Sequence, residues 1–435
     1  MIGFDAAALW LARNELSPVL LLPEKGLRGS EGQSVQIPLA LAGSVRRGTR
    51  SQLLVAVMPA TRESESAVRV IRRAQGLKLG RPETAADGLA SAHGTTEQFW
   101  AWSPEITLLR RGLWPGPRVG IERCSRFGIW RLRKWFDSPA SLRIDADLRP
   151  GRREMLRSPV YRTMMASRET PWTGHGRDFE RLREYQPGDN FSEIAWKATA
   201  RRGAPVTRLF QWEQKQEVYF LVDQSRASAQ PLAFDSETGL PPARAPRRLL
   251  DLAVETALVG ATVALELGDE FGLVTFAEEP KSWLRAGSGQ FHFHQFRNQL
   301  LSLEPSLTTV DYEALFAGIR LRLRRRAYLV LLANLAERSI SDSMCRGMPL
   351  LLSSHVVLMT SVLPAHARRA FSAGEEPRTE HDVYAALAGE KENQRLGALA
   401  RQLRQLGAEL RFVPHENFLR VALEGYLESK REQRV

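Results

Sequence analysis

Cysteine is nearly absent: the chain has two, Cys124 and Cys345, far apart. That excludes a disulfide framework and a cysteine-built zinc site, and it suits a reducing compartment. Long apolar runs are missing as well. No stretch approaches the roughly eighteen apolar residues that a spanning helix needs. The segment from Met1 to Ala12 is apolar but short, and Asp5 interrupts it. It has no basic flank or cleavage signal of a secretory peptide. Residues 1–17 are therefore expected to be the tail end of a membrane-proximal segment. The common catalytic motifs are missing too: no Walker loop, no GxSxG elbow and no HExxH.

What is present is a basic, folded composition. The 435 residues carry 61 Lys and Arg against 49 Asp and Glu, a net charge of +12, with 43% hydrophobic residues and ten Trp. Such a length implies two or three domains, and such an apolar content excludes wholesale disorder. A basic chain suits nucleic acid or the cytoplasmic face of a membrane. The positive charge is scattered, as at Arg46-Arg47, Arg72-Arg73, Arg201-Arg202 and Arg324–Arg326. No zinc-finger, RNA-recognition or helix-turn-helix pattern accompanies it, which argues against nucleic acid.

Two rhythms divide the chain. Over 18–150, short runs broken by Gly, Pro and Arg predict strands at 19–22, 35–41, 52–58, 99–109, 118–122 and 142–146. The result is an all-β, β-sandwich-like domain. Residues 60–93 show no strand period and fit a helix or a long insertion. Cys124 reads as a buried strand residue. Residues 151–215 form a helical linker, with its helix at 152–168, followed by a segment dense in charge and aromatics. From 216 to 435 the pattern becomes strand–helix alternation. Strands are expected at 218–222, 271–276, 327–332, 356–361 and 409–413, and helices at 247–267, 291–303, 312–323, 392–406 and 418–430. That alternation predicts an α/β domain with a doubly wound parallel sheet of the Rossmann type.

The segment from Gly176 to Asp189 (GRDFERLREYQPGD) resembles the signature of the bacterial family called "domain of unknown function 58". The resemblance runs on through Ile194-Ala-Trp196-Lys197 to Arg201. It extends upstream to Arg111-Gly112 and Phe127-Gly-Ile-Trp130, and downstream to 406–414 and 426–430. What it implies is a β-rich domain, the charged motif and a von Willebrand A-like domain, preceded in the family by a pair of membrane helices. It also implies a place at the cytoplasmic face of the inner membrane. The expected partners are a MoxR-type AAA+ ATPase and a transglutaminase-like membrane protein.

Within the motif, Tyr185-Gln-Pro187-Gly188-Asp189 reads as a turn, Pro presetting one φ and Gly supplying a permissive one. Arg183, Glu184, Asp189, Trp196, Lys197 and Arg201 are candidates for a charge and stacking network, either cementing the linker or forming a docking surface. Tyr185 and Gly188 complete the interaction set.

A second constellation is a cation site. In von Willebrand A-like domains an Asp-x-Ser-x-Ser turn after the first strand, a Thr from a second loop and an Asp from a third hold Mg2+ through oxygen. Here the turn is Asp223-Gln-Ser225-Arg-Ala227, with Ser228 one place late. Thr308 or Thr309 supplies the second loop, Thr309 being preferred, and Asn334 stands where the third loop needs a carboxylate. With Ala227 and Asn334 in place the site is degenerate, and no cofactor is expected. His292 and His294, flanked by Phe291, Phe293 and Phe296, read as an aromatic core edge and not as ligands.

The sequence thus predicts a non-enzymatic interaction module. Two other readings stay open: a hydrolase built on the motif's carboxylates, and a basic nucleic-acid-binding protein whose affinity would fall steeply with salt.

Overall fold

The computed structural model describes residues 141–167, 194–211, 215–232, 247–337, 340–364 and 379–432 as long stretches, Ala367, and shorter stretches between 16 and 186. The chain divides into two units. One comprises 1–147, 235–246 and 301–303, and the other comprises 148–234, 247–300 and 304–435. Among the described residues no helix is long and apolar enough to cross a membrane. The expected membrane-proximal segment lies outside them except for its last two residues.

Among the described residues the first unit has short strands in four small sheets. Most pairings are antiparallel, as between Arg118–Cys124 and its neighbours Leu53–Met58 and Arg131–Phe136. Ser141–Asp145 pairs in parallel with Leu27–Ser30. The half-buried alternation is clear where Ile106 and Leu108, or Leu142 and Ile144, turn inward from every second position. Two predicted strands divide in the structure. The 35–41 run becomes Ser34–Gln36 and Leu39–Gly43, and the 99–109 run becomes Gln98–Trp102 and Glu105–Leu108, each half joining a different sheet. Within 60–93 the strands Val68–Val70 and Ala74–Leu77 appear, and the remainder lies outside the described residues.

The second unit opens with two helices, Arg149–Arg157 and Pro159–Ser167, where one was expected. Pro159 excludes helical backbone at Ser158, which is extended at φ −64°, ψ 124°. A three-stranded sheet follows, with 206–211 between 173–174 and 178–184. The charge-dense segment read as linker therefore carries strands.

The remainder is a six-stranded sheet of β1 (Glu217–Asp223), β2 (Glu270–Phe276), β3 (Pro280–Gly287), β4 (Tyr328–Leu332), β5 (Val356–Val362) and β6 (Glu409–Val413). Its order is β3-β2-β1-β4-β5-β6. All pairings are parallel except that of the edge strand β3 with β2, which corrects the expectation of a wholly parallel sheet. The β3 sequence, Pro280-Lys-Ser-Trp-Leu-Arg, mixes polar and apolar residues because it lies at an edge. Helices α1 (Leu249–Leu267), α2 (Gln290–Leu301), α3 (Tyr312–Arg322), α4 (Ser341–Leu352), α5 (Glu380–Leu406) and α6 (Phe418–Arg431) complete the unit.

The helices cover both faces of the sheet. On one, Tyr219 and Leu221 of β1 and Leu329 and Leu331 of β4 pack with Leu315 and Phe316 of α3, Met344 and Met348 of α4, and Leu399 and Leu403 of α5. On the other, Phe220 meets Phe296 of α2 and lies under Gly260 of α1, where an added Cβ would sit 2.4 Å from its ring. Tyr328 stacks on Tyr426 of α6. Helix α1 is apolar nearly all round, as a helix buried on every side must be.

At the N-terminal edge of the sheet Asp269 is wholly buried. Its carboxylate accepts Lys430 Nζ at 2.6 and 2.5 Å and the Gln216 N–H at 3.2 Å, and the Tyr426 hydroxyl also donates to it. These bonds tie α6 to the start of β1 and β2. Removing the cation strands a buried charge, so Lys430→Met is expected to cost roughly 3–5 kcal/mol in urea unfolding. Adding Asp269→Asn should recover part of that loss.

Candidate functional site

The parallel strands follow the order 2-1-3-4-5, and the connections leave β1 and β4 in opposite directions. In open α/β sheets that switch point, at the C-terminal ends of the strands, is where a crevice opens. Asp223 is the last residue of β1 and lies there, 1% exposed. From Val218 to Val222 the strand that carries it is apolar and buried, so the carboxylate is drawn out of solvent by its position.

Asp223 Oδ1 accepts the Ser225 N–H at 2.7 Å. Oδ2 is buried without a hydrogen-bond partner among the described residues. Burial pushes the acid up to about 6, helped by the charge of Glu337 and opposed by the Ser225 amide and hydroxyl and the Asn334 amide. Burial, with the charges of Asp223 and Glu337, holds the Tyr312 phenol well above its usual range. Tyr312 is thus a neutral, fully buried neighbour of two carboxylates.

Three loops meet at this point. The loop after β1 holds Ser225, Arg226 and Gln230. The loop before α3 is tied to it by the Ser306 N–H and hydroxyl, both donating to Gln224 O at 2.7 and 3.0 Å, and by the Arg226 N–H donating to Thr308 O at 2.9 Å. The loop after β4 is tied to it by two side-chain contacts. Arg226 Nη2 reaches Glu337 Oε1 at 2.9 Å, and Asn334 Nδ2 donates to Gln230 Oε1 at 2.9 Å. From behind, Ser361 Oγ accepts the Leu335 N–H, and Arg395 of α5 donates to Ala336 O.

The donor set does not fit Mg2+. Asp223 offers one carboxylate and Ser225 one hydroxyl, while Ala227 has no side-chain oxygen. Ser228 Oγ donates to Ser225 O at 2.8 Å, closing the short turn Arg226–Ala229. Thr308 Oγ1 shares a bond with Ser306 Oγ at 2.9 Å, and Thr309 is exposed. Asn334 Oδ1 already accepts the Ala336 N–H. A hard cation that takes six or more oxygens does not find them here. Among the described residues no group of three His, Cys, Asp or Glu side chains could hold a metal.

The charged motif is placed differently. Arg183 and Glu184 end the strand Asp178–Glu184, opposite Thr207 and Val206. Glu184 is exposed, and the half-buried Tyr185 donates its N–H to Pro205 O. Gly188 and Asp189 lie outside the described residues. Trp196, Lys197 and Arg201 lie on a helix, Trp196–Arg202, that has no fully buried residue. Trp196 is 66% exposed. Among the described residues no ion pair or ring contact joins Glu184, Trp196, Lys197 and Arg201. The expected network among these four is not assembled, because strand and helix both turn them to solvent.

His292 donates its Nε2–H to Phe271 O (2.7 Å) and lies against the Phe271 ring, whereas His294 is exposed. The pair is a core edge and its neighbour. Arg226, Gln230, Tyr312 and Glu337 were not foreseen. They meet through loops about a hundred residues apart, and no local pattern signals such pairing.

The acid of Asp223 titrates higher folded than unfolded, so the folded protein takes up its proton more readily. Its contribution is most favourable below pH 4 and is lost as pH rises through 6, by roughly 3 kcal/mol. Asp223→Asn is expected to remove that component, so that the stability difference from wild type changes between pH 4 and 7 and is flat above. Millimolar Mg2+ is expected to leave the melting temperature of either protein unchanged.

Two solved structures have a slight likeness to the chain. One is an aerotolerance-related membrane protein from Bacteroides fragilis NCTC 9343, at 12% identity and a TM-score of 0.28, covering 49% of this chain and 99% of that one. The other is the conserved hypothetical protein BatB from Bacteroides thetaiotaomicron, at 12% identity and a TM-score of 0.25, covering 44% and 98%. Similarity at that level says nothing about what this chain does. No curated protein matches it. Residues 181–365, from the charged motif through β5, match the family described as "Protein of unknown function DUF58".

Proposed function

We propose that the chain is a non-enzymatic protein-interaction module acting at the cytoplasmic face of a bacterial membrane. On this reading the six-stranded sheet is a von Willebrand A-like domain with a degenerate metal site. The crevice at the C-terminal end of its sheet is the partner-binding surface. The observation that carries the reading is Asp223: a buried carboxylate at the switch point, with one oxygen lacking a hydrogen-bond partner and, among the described residues, no His or Lys base bonded to it or to the neighbouring Ser225. An acid without a reacting partner suits recognition better than turnover.

The motif supplies a second surface. Trp196, Lys197 and Arg201 are exposed on a helix with no fully buried residue, and an exposed large aromatic beside cations is the composition of interface anchors. By resemblance, the partner expected there or at Asp223 is a MoxR-type AAA+ ATPase, with a transglutaminase-like membrane protein as a further candidate. The net charge of +12 favours the cytoplasmic side of an anionic membrane.

A tagged full-length chain is expected to capture an AAA+ ATPase from native membranes and cytosol, identified by mass spectrometry. Trp196→Ala with Lys197→Glu is expected to reduce that capture at least fivefold while leaving the melting temperature within about 2 °C, since no buried contact is lost. Unchanged capture would remove the motif surface from the proposal.

A further inference from the structure

Three features mark the loops around Asp223 at the switch point. Asp223 Oδ2 is an acceptor, nine-tenths buried, that no described donor meets. Arg226 bridges to Glu337 over the gap between the loops after β1 and β4, with 58% of its own side chain exposed. Leu307 is 90% exposed, on a loop that three hydrogen bonds clamp to the Asp223 turn.

The charges fix what can enter. Asp223 and Glu337 lie close enough for one to disfavour ionisation of the other, and Arg226 is the cation seen bridging to Glu337. Arg395 behind the loop is paired with its own Glu392, so Asp223 and Glu337 face the single guanidinium of Arg226, one positive charge short. A metal ion lacks the oxygens it needs there, as the engaged Ser228, Thr308 and Asn334 show. A guanidinium or ammonium group brings its own donors and needs only acceptors. The apolar side chain beside the opening offers contact to a residue flanking such a cation.

We propose that this crevice binds, without metal, an arginine or lysine side chain of a partner protein. The incoming cation donates to Asp223 Oδ2 and takes the place of Arg226 at Glu337, while the neighbouring partner residue packs on Leu307. In the free protein the Arg226–Glu337 bridge and the Asn334–Gln230 bond link the loops after β1 and β4 beside the buried Asp223 Oδ2, so the cation enters as these two contacts open. Both are partly exposed contacts of the kind that exchange readily with solvent. Arg226 is thus an internal competitor for the site. This inference rests on the interaction reading given above and specifies the chemistry of its partner.

The test uses the full chain at pH 8, where Asp223 is ionised, with the dipeptide N-acetyl-Leu-Arg-amide as probe and N-acetyl-Leu-citrulline-amide as its neutral isostere. Melting temperature is followed against ligand concentration. The arginine probe is expected to stabilise the wild type with an apparent Kd at least fivefold below that of the citrulline probe. The preference should disappear in Asp223→Asn, weaken in Leu307→Ser and strengthen at least threefold in Arg226→Ala. Glu337→Gln, a change at a half-buried loop position outside the core, should weaken it and serves if Asp223→Asn fails to fold. Equal response to both probes, or a preference that survives Asp223→Asn and Glu337→Gln, would overturn the proposal. ATPase capture retained in Asp223→Asn with no probe preference in the wild type would sink the cation site and leave the interaction module standing. Loss of capture in every surface variant with the probe preference intact would do the reverse.

Discussion

Burial of β1 on both faces is the constraint on which the second unit depends. From Val218 to Asp223 every residue is buried, with β2 on one side and β4 on the other. A strand so placed must be apolar throughout, and helices must close on it from above and below. Gly260 is what lets α1 approach Phe220, since any larger residue would collide with the ring. The edge strand β3 and the exposed stretches of α5 are free to be polar because they carry none of this burden.

The same constraint explains the chemistry at the end of the strand. A carboxylate at the last position of a fully buried strand leaves water whether or not a partner is ready for it. Asp223 Oδ1 accepts the Ser225 N–H of the turn it starts, with the Ser225 hydroxyl and the Asn334 amide nearby, while Oδ2 is left without a hydrogen-bond partner among the described residues. At the opposite edge of the sheet Asp269 shows what full compensation looks like, with an ammonium, a phenol and an amide all donating to it. The contrast between these two buried aspartates sets Asp269 apart as architecture and leaves Asp223 as the candidate site.

Legibility in the sequence followed burial. The central strands β1, β2, β4 and β5 and helix α1 were read within two residues of their ends, because a buried element writes its period in apolar residues. Helix α4 was missed: Gly347 and Pro349 interrupt its pattern, yet Gly347 is needed where α4 crosses close to α3. The first turns of α5, with Tyr384 and Leu387 exposed, gave no stripe to read. Asp223 and Ser225 were visible because a short motif carries them. Glu337 and Arg226 were not, since their pairing exists only once two loops distant in sequence are brought together by the sheet. Exposure of Trp196 was likewise out of reach, as an aromatic in a charged segment reads equally well as a plug or as a surface.

The sheet order has a consequence for how the domain is made. β1 is the first of the six strands to leave the ribosome, and its neighbour β4 follows more than a hundred residues later. Until then a strand apolar on both faces has an open edge, which is a hazard for association with other chains. Assembly is therefore dominated by distant pairings and is expected to be slow compared with helical domains of similar size. The protein's most protected strand is, during synthesis, the one most in need of protection.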